Sequence, residues 1–169
     1  MPLIELPSFW NILLDIAAWI VIHLVVAVLS IRMPLRRFTS DSPLYRTRAW
    51  EDGGRVYQRV FRIRRWKHLL PDGGSWFKNG FAKKHLTGRD AAYFAQFTAE
   101  SRRAEWTHWL CIPPALLFFL WNPVPVGFVM ILYALVVNLP CILAQRFNRP
   151  RLEAMEHRLS AGDPKRSVK

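Results

Sequence analysis

Three apolar blocks are set among arginine-rich stretches. The first, FWNILLDIAAWIVIHLVVAVLSI, runs from Phe9 to Ile31 with only Asp15 and His23 as ionisable interruptions. As a helix rising about 1.5 Å per residue it reaches roughly 34 Å, enough to cross a bilayer's hydrocarbon. The second block extends from Trp106 to Leu120 and the third, after WNPVP, from Val126 to Ala144. The pattern predicts a mainly α, integral membrane protein forming a single membrane domain over 1–169. Its parts are a first span at 9–31, a loop at 32–103, a second span at 104–121, a third at 126–145 and a tail at 146–169. The second block is short and carries Pro113 and Pro114, so it either crosses fully or pairs with the third as a re-entrant hairpin. No basic stretch precedes Phe9 and no small-residue cleavage site follows Ile31, which favours an uncleaved anchor over a signal peptide.

In the loop, YRTRAW and RVYQRVFRI flank EDGG, and both flanks alternate aromatic or branched residues with arginine. An Asp-Gly pair between such runs predicts a short β-hairpin, because the turn needs positive φ and glycine supplies it. Further on, Trp76, Phe77 and Phe81 suit a short interfacial helix. Asp90 is a natural N-cap for a helix leading directly into the second apolar block.

Charge sets the expected orientation. Of 24 Lys and Arg residues, none precedes Arg32, 17 fall between Arg32 and Arg103, and seven follow Ala144. The positive-inside rule places loop and tail in the cytoplasm and the N-terminus outside. A net charge of +12 beside membrane helices points to anionic lipid, phosphate-bearing ligands or an acidic carrier protein, and away from nucleic acid. Cys111 and Cys141 lie within apolar segments, with neither metal-ligand spacing nor a disulfide framework. No serine elbow, P-loop, dinucleotide glycine pattern or zincin motif occurs.

The ionisable residues at the start of the second block carry the candidate chemistry. At 100° per residue, Tyr93, Phe97, Glu100, Ala104, His108 and Cys111 share one helical stripe, and Glu105, about 60° away, neighbours His108 at i,i+3. An imidazole beside a carboxylate suits general-base activation of a hydroxyl, with Glu105 or Glu100 orienting His108. The bland alternative is polar decoration of the headgroup layer; ionisable groups close to hydrocarbon tip the balance toward function. In NLPCILAQRFNRPRLE, Asn138, Gln145 and Arg149 share a face that would bind a second helix or a ligand, and Pro140 frees the carbonyl of Val136. Arg146, Asn148, Arg149 and Arg151 surround Pro150 in a geometry suited to gripping phosphate or an oxyanion; for Arg146 and Arg151 a topological anchor is the competing reading. Arg65, Trp66, Lys67, His68 and Asp72 either bind a polar substrate or lie on a solvated turn. Trp66, Trp76, Trp106 and Trp109 offer faces to a sugar or anchor at headgroup depth. His85 and Asp90 have an H-x4-D spacing that arises easily by chance. His23 is expected to bond a neighbouring helix.

Taken together, YQRVFRIRRWKHLLPDGG, F-x-K-x-H-L, Y-F-x-x-F-x-x-E-x-x-R-A-E-x-x-H-W, FLWNP and NLPCILAQRFNRPRL resemble the glycosyl-4,4'-diaponeurosporenoate acyltransferase family, which completes staphyloxanthin-type carotenoids in bacteria. The likeness covers roughly residues 55 to 153. It implies metal-independent transfer of a fatty acyl group to a sugar hydroxyl of a membrane glycolipid, with no cofactor beyond the acyl donor, acyl-CoA or acyl carrier protein. The expected partners are membrane lipids, a lipid-linked sugar acceptor and that thioester. The competing reading is a scaffold whose basic loop binds anionic lipid or a partner enzyme.

Overall fold

A computed structural model of the chain describes residues 2–39, 42–71 and 88–162. Among the described residues four α-helices carry the fold: α1 Ser8–Arg32, α2 Arg55–Phe61, α3 Ala91–Leu110 and α4 Val124–Ala161. Short 3-10 turns occupy Leu35–Phe38, Ala49–Gly54, Ile63–Arg65 and Lys67–Leu69, and a longer one runs over Pro113–Leu120.

Two helices, α1 and α4, are long and apolar enough to cross a membrane. Their side chains show why they need a non-aqueous solvent. On α1, Ile12, Ile16, Ile20 and Leu24 are more than half exposed, and on α4 so are Val129, Leu132 and Val136. Apolar bands of this extent on two helices mark a membrane location. The first apolar block, 9–31, is helical throughout, within α1. The expectation of three segments does not hold: α3 closes at Leu110, and Pro113-Pro114 start an eight-residue 3-10 run. Pro113 and Pro114 have no N–H to donate to the carbonyls of Trp109 and Leu110, which explains the break. The run instead packs between α1 and α4, with Phe118 stacked on Trp19 at 4.7 Å and with Ala115 and Ala134 in the same cluster. The amides of Leu3 and Ile4 donate to the Leu120 carbonyl at 2.8 and 3.0 Å, so α1 and α4 begin at the same end of the molecule.

One acid lies inside the first span. Asp15 Oδ1 accepts from Trp121 Nε1 and from Asn122 Nδ2, each at 2.7 Å, which ties α1 to the turn preceding α4. Asp15→Leu strands two donors in an apolar setting. A loss of about 1–3 kcal/mol is expected, read as a lower unfolding temperature in detergent. His23 bonds its own helix through the Trp19 carbonyl at 2.8 Å, not a neighbouring helix as the sequence suggested.

The β-hairpin at EDGG is also absent, and no strand occurs among the described residues. Asp52, Gly53 and Gly54 take φ of 47°, 58° and 84°, three successive left-handed residues that lead directly into α2. The turn is shaped by what it meets. A Cβ on Gly54 would lie 3.1 Å from the Phe147 carbonyl and 3.4 Å from that of Arg146 on α4. Pro150 cannot donate to the Arg146 carbonyl, which leaves it free for such an approach. Tyr57, Ile63 and Phe147 close the core under this turn.

Asp90 caps α3, accepting from the Tyr93 amide at 2.7 Å. From there α3 runs antiparallel to α4: Ser101 meets Gln145 and His108 meets Asn138. The fourth helix outlasts the third apolar block. It continues without interruption through Pro140 and Pro150 to Ala161, so the residues expected to begin a tail are helical.

Candidate active site

The α3–α4 seam is polar where it leaves the apolar band. At its centre the Glu105 carboxylate is fully buried (0% exposed). Arg146 Nε donates to Oε1 at 2.7 Å, Arg149 donates to Oε2, and Trp109 Nε1 donates to Oε1 at 3.2 Å. Arg146 also donates to Glu51 at 3.0 Å and to the Leu44 carbonyl at 2.9 Å. Arg149 reaches the Tyr45 carbonyl at 2.9 Å. Two buried acids and two guanidinium groups therefore fasten residues 44–51 to both helices. Charge compensation explains why four ionised groups tolerate burial.

Tyr57 belongs to the same knot. Burial, then the Glu51 charge, pushes its phenol up to about 12. Its free phenol would titrate near 10. A raised pKa stabilises the fold fully below that unfolded value, and the contribution is lost as pH climbs through the folded one. Alkaline unfolding is accordingly expected to steepen above about pH 10, and Tyr57→Phe should flatten that limb in a denaturation series.

Beside the charge knot sits the histidine. His108 Nδ1 lies 3.0 Å from Asn138 Oδ1, while Asn138 Nδ2 donates to the Ala134 carbonyl at 2.9 Å. The second contact orients the amide, so its oxygen faces the imidazole. In the neutral ring Nδ1 then carries the proton and Nε2 the lone pair. This arrangement differs from the expected Glu105–His108 pair. Adjacency at i,i+3 puts the two side by side, but Glu105 is claimed by guanidinium groups arriving from α4, which offer full charge and a planar fork. Glu100 likewise accepts from Arg103 NH2 at 2.7 Å on both oxygens.

The other candidates divide between two sides of α4. Gln145 accepts from Ser101 at 2.9 Å and lies on the stripe with Asn138 and Arg149. Asn148 accepts from Lys67 Nζ at 2.9 Å, so the sequence's oxyanion group of Arg146, Asn148 and Arg149 is split. Every nitrogen of the Arg146 side chain already has an acceptor. Three of its five N–H groups hold the acid network together. Trp66 is half buried against the Phe147 cluster and donates to the Phe61 carbonyl at 2.8 Å. Arg65 and His68 are exposed. Asp72, Trp76, Phe77, Phe81 and His85 lie outside the described residues. Among the described residues no group of three His, Cys, Asp or Glu side chains could hold a metal ion. Sequence reasoning overlooked Glu51, read only as part of a turn, and Ser101. The signal for Glu51 was its place, with Asp52, between arginine-rich flanks.

A model of the glycosyl-4,4'-diaponeurosporenoate acyltransferase family matches residues 41–158, more than half of the chain. The chain belongs to this family. Among its relatives, the glycosyl-4,4'-diaponeurosporenoate acyltransferases of Staphylococcus aureus strains bovine RF122 / ET3-1 and MRSA252 are each 32% identical over 134 residues, covering 79% of this chain and 81% of theirs. No solved structure matches significantly. The family match takes in Glu51, the α3 residues from Glu100 to Trp109, and the α4 residues from Asn138 to Arg151. Of α1, the matched region contains nothing.

Proposed function

We propose that this acyltransferase family member moves a fatty acyl group from an acyl thioester to a hydroxyl of a glycosylated carotenoid or similar membrane glycolipid. The observation that carries the residue assignment is the Asn138–His108 contact, which favours the Nδ1–H tautomer, the form of the neutral ring whose basic nitrogen is Nε2. His108 is half-buried, and Asn138 lies eight positions before Arg146 on α4. At about 1.5 Å per residue that depth is roughly 12 Å inside the charged end of the helix. A hydroxyl on a lipid-linked sugar and a thioester whose tail is in the bilayer can meet at such a level.

Nε2 accepts the proton of the sugar hydroxyl as its oxygen attacks the thioester carbonyl. The tetrahedral intermediate expels the thiolate, which takes the proton back from the imidazolium. Asn138 acts as a positioning residue, and the Glu51–Arg146–Glu105–Arg149 knot holds α3 and α4 at the required separation. Loop and tail face the cytoplasm in this scheme, because both carry the basic residues and cytosolic thioesters approach from that side. The donor is acyl-CoA or an acyl carrier protein, and no further cofactor takes part.

The direct test incubates the protein in lipid nanodiscs with labelled acyl-CoA and a glycosylated carotenoid, then extracts lipid. Labelled ester is expected in the glycolipid. Absence of label with every glycolipid acceptor, alongside tight binding of a cytosolic protein, would favour the scaffold reading instead. Asn138→Asp supplies a sharper check on positioning. A carboxylate beside the ring favours its protonated form, so the acidic limb of the kcat/KM profile moves to higher pH. An unchanged profile argues that Asn138 does not orient the base.

A further inference from the structure

On the side of α4 turned away from the His108 seam lies a second feature that the transfer reaction leaves unused. Leu132, Leu135, Val136, Leu139 and Leu143 line an apolar groove of about 470 Å³ together with Phe61 and Trp66. At 100° per residue these α4 positions span an arc of about 100°. Asn138, Gln145 and Arg149 fall about 80–120° to one side of Leu139, and Phe147 and Arg151 about 80–120° to the other.

Trp66 and Leu143 pack against the Phe147 cluster, and cations gather on that side of the groove. Lys67 Nζ stands 5.2 Å from the centroid of the Phe147 ring and the Arg151 guanidinium 3.8 Å from it. Two cations thus share one aromatic ring, and Asn148 accepts from Lys67 beside them. Among the described residues no carboxylate forms an ion pair with Lys67, Arg151 or Arg64. Everywhere else in this fold a buried or half-buried guanidinium is answered by an acid, as Arg146 and Arg149 are by Glu105. Burial, then the charges of Arg151 and Arg64, hold the Lys67 ammonium below its ordinary range. An anion placed among these groups would relieve that repulsion.

We infer that the groove and the cations beside it form a binding site for an anionic glycerophospholipid, with an acyl chain along α4 between Leu132 and Leu143 and the phosphate held by Lys67 and Arg151. Charge complementarity argues for the headgroup, because cations beside an apolar groove, with no acid partner among the described residues, match a phosphate joined to a hydrocarbon tail. Position argues for a bilayer lipid over the acyl donor. The groove opens outward along the exposed face of α4, and the helix itself stands between the cations and the imidazole. This site rests on the membrane placement of α4 and not on the transfer chemistry at His108.

The test measures lipid retained by purified protein. Protein is exchanged into mixed micelles of phosphatidylglycerol and phosphatidylcholine, and bound lipid is counted by native mass spectrometry. The parent retains phosphatidylglycerol preferentially, and the Lys67→Gln/Arg151→Gln double variant loses about 30-fold in that preference, at the usual free energy per cation near a lipid surface. Val136→Trp, which fills the groove and leaves every charge in place, lowers retention of both lipids together. Equal phosphatidylglycerol retention by parent and double variant overturns the site. So does a raised KM for acyl-CoA in the double variant with lipid retention unchanged, an outcome that reassigns the cations to the donor. Failure of acyl transfer in every protein tested, with the lipid preference intact, sinks the enzymatic reading and leaves the lipid site standing.

Discussion

Alanine at position 108 is expected to lower acyl transfer by about 10²- to 10⁴-fold, the usual contribution of a positioned general base. Loss of the ring also leaves the buried Asn138 oxygen without its donor. That exposes the fold to a loss of about 1–3 kcal/mol, so activity alone does not separate chemistry from stability. His108→Gln makes the separation. Glutamine can still donate to Asn138 from its amide nitrogen, yet it cannot accept a proton at neutral pH. Both variants are expected to be inactive, with His108→Gln close to the parent in unfolding temperature. Transfer by His108→Gln at a rate within about tenfold of the parent would remove the histidine from the proton-transfer step.

The second large effect is structural. Glu105→Ala leaves Arg146 and Arg149 facing each other around a space that held their common counter-charge. Arg149 is 1% exposed. Removing one member of a buried ion pair costs about 3–5 kcal/mol, because the remaining charge is left uncompensated. Protein is expected to aggregate or to unfold at a much lower temperature, with activity lost as a consequence. Replacing all three by apolar residues, Glu105→Leu with Arg146→Met and Arg149→Met, should recover part of the loss, since no buried charge of the trio then remains, although Glu51 keeps its own. A Glu105→Ala protein as stable as the parent in a detergent melt would show that the knot is hydrated and does not hold the helices together.

These two residues differ in how far local sequence could reveal them. The stripe of Asn138, Gln145 and Arg149 was legible from spacing alone, and the structure packs it against α3, on Asn138–His108, Gln145–Ser101 and Arg149–Glu105 contacts. Asp90 as N-cap and α1 as a long apolar helix were legible for the same reason: each depends on neighbours within a few residues. What Glu105 binds was not. Spacing at i,i+3 pointed to His108, but the winning partners lie 41 and 44 residues further along the chain. No periodicity of α3 reports which cations α4 brings across.

EDGG shows the same division at a single turn. Glycine and aspartate state that the chain reverses with positive φ, and it does; hairpin or helix-leading turn is settled by the carbonyls of Arg146 and Phe147, against which Gly54 closes. By itself, then, the sequence determined an apolar span, a cationic loop, the polar face of the last helix and a family membership spread over most of the chain. Tertiary structure alone decided that Glu105 belongs to arginines, that His108 belongs to Asn138, and that Asn148 belongs with Lys67 on another face of α4. The physical reason is that helical spacing is a local property, whereas the pairing of buried charges is chosen by whichever partner desolvation and antiparallel packing bring within reach.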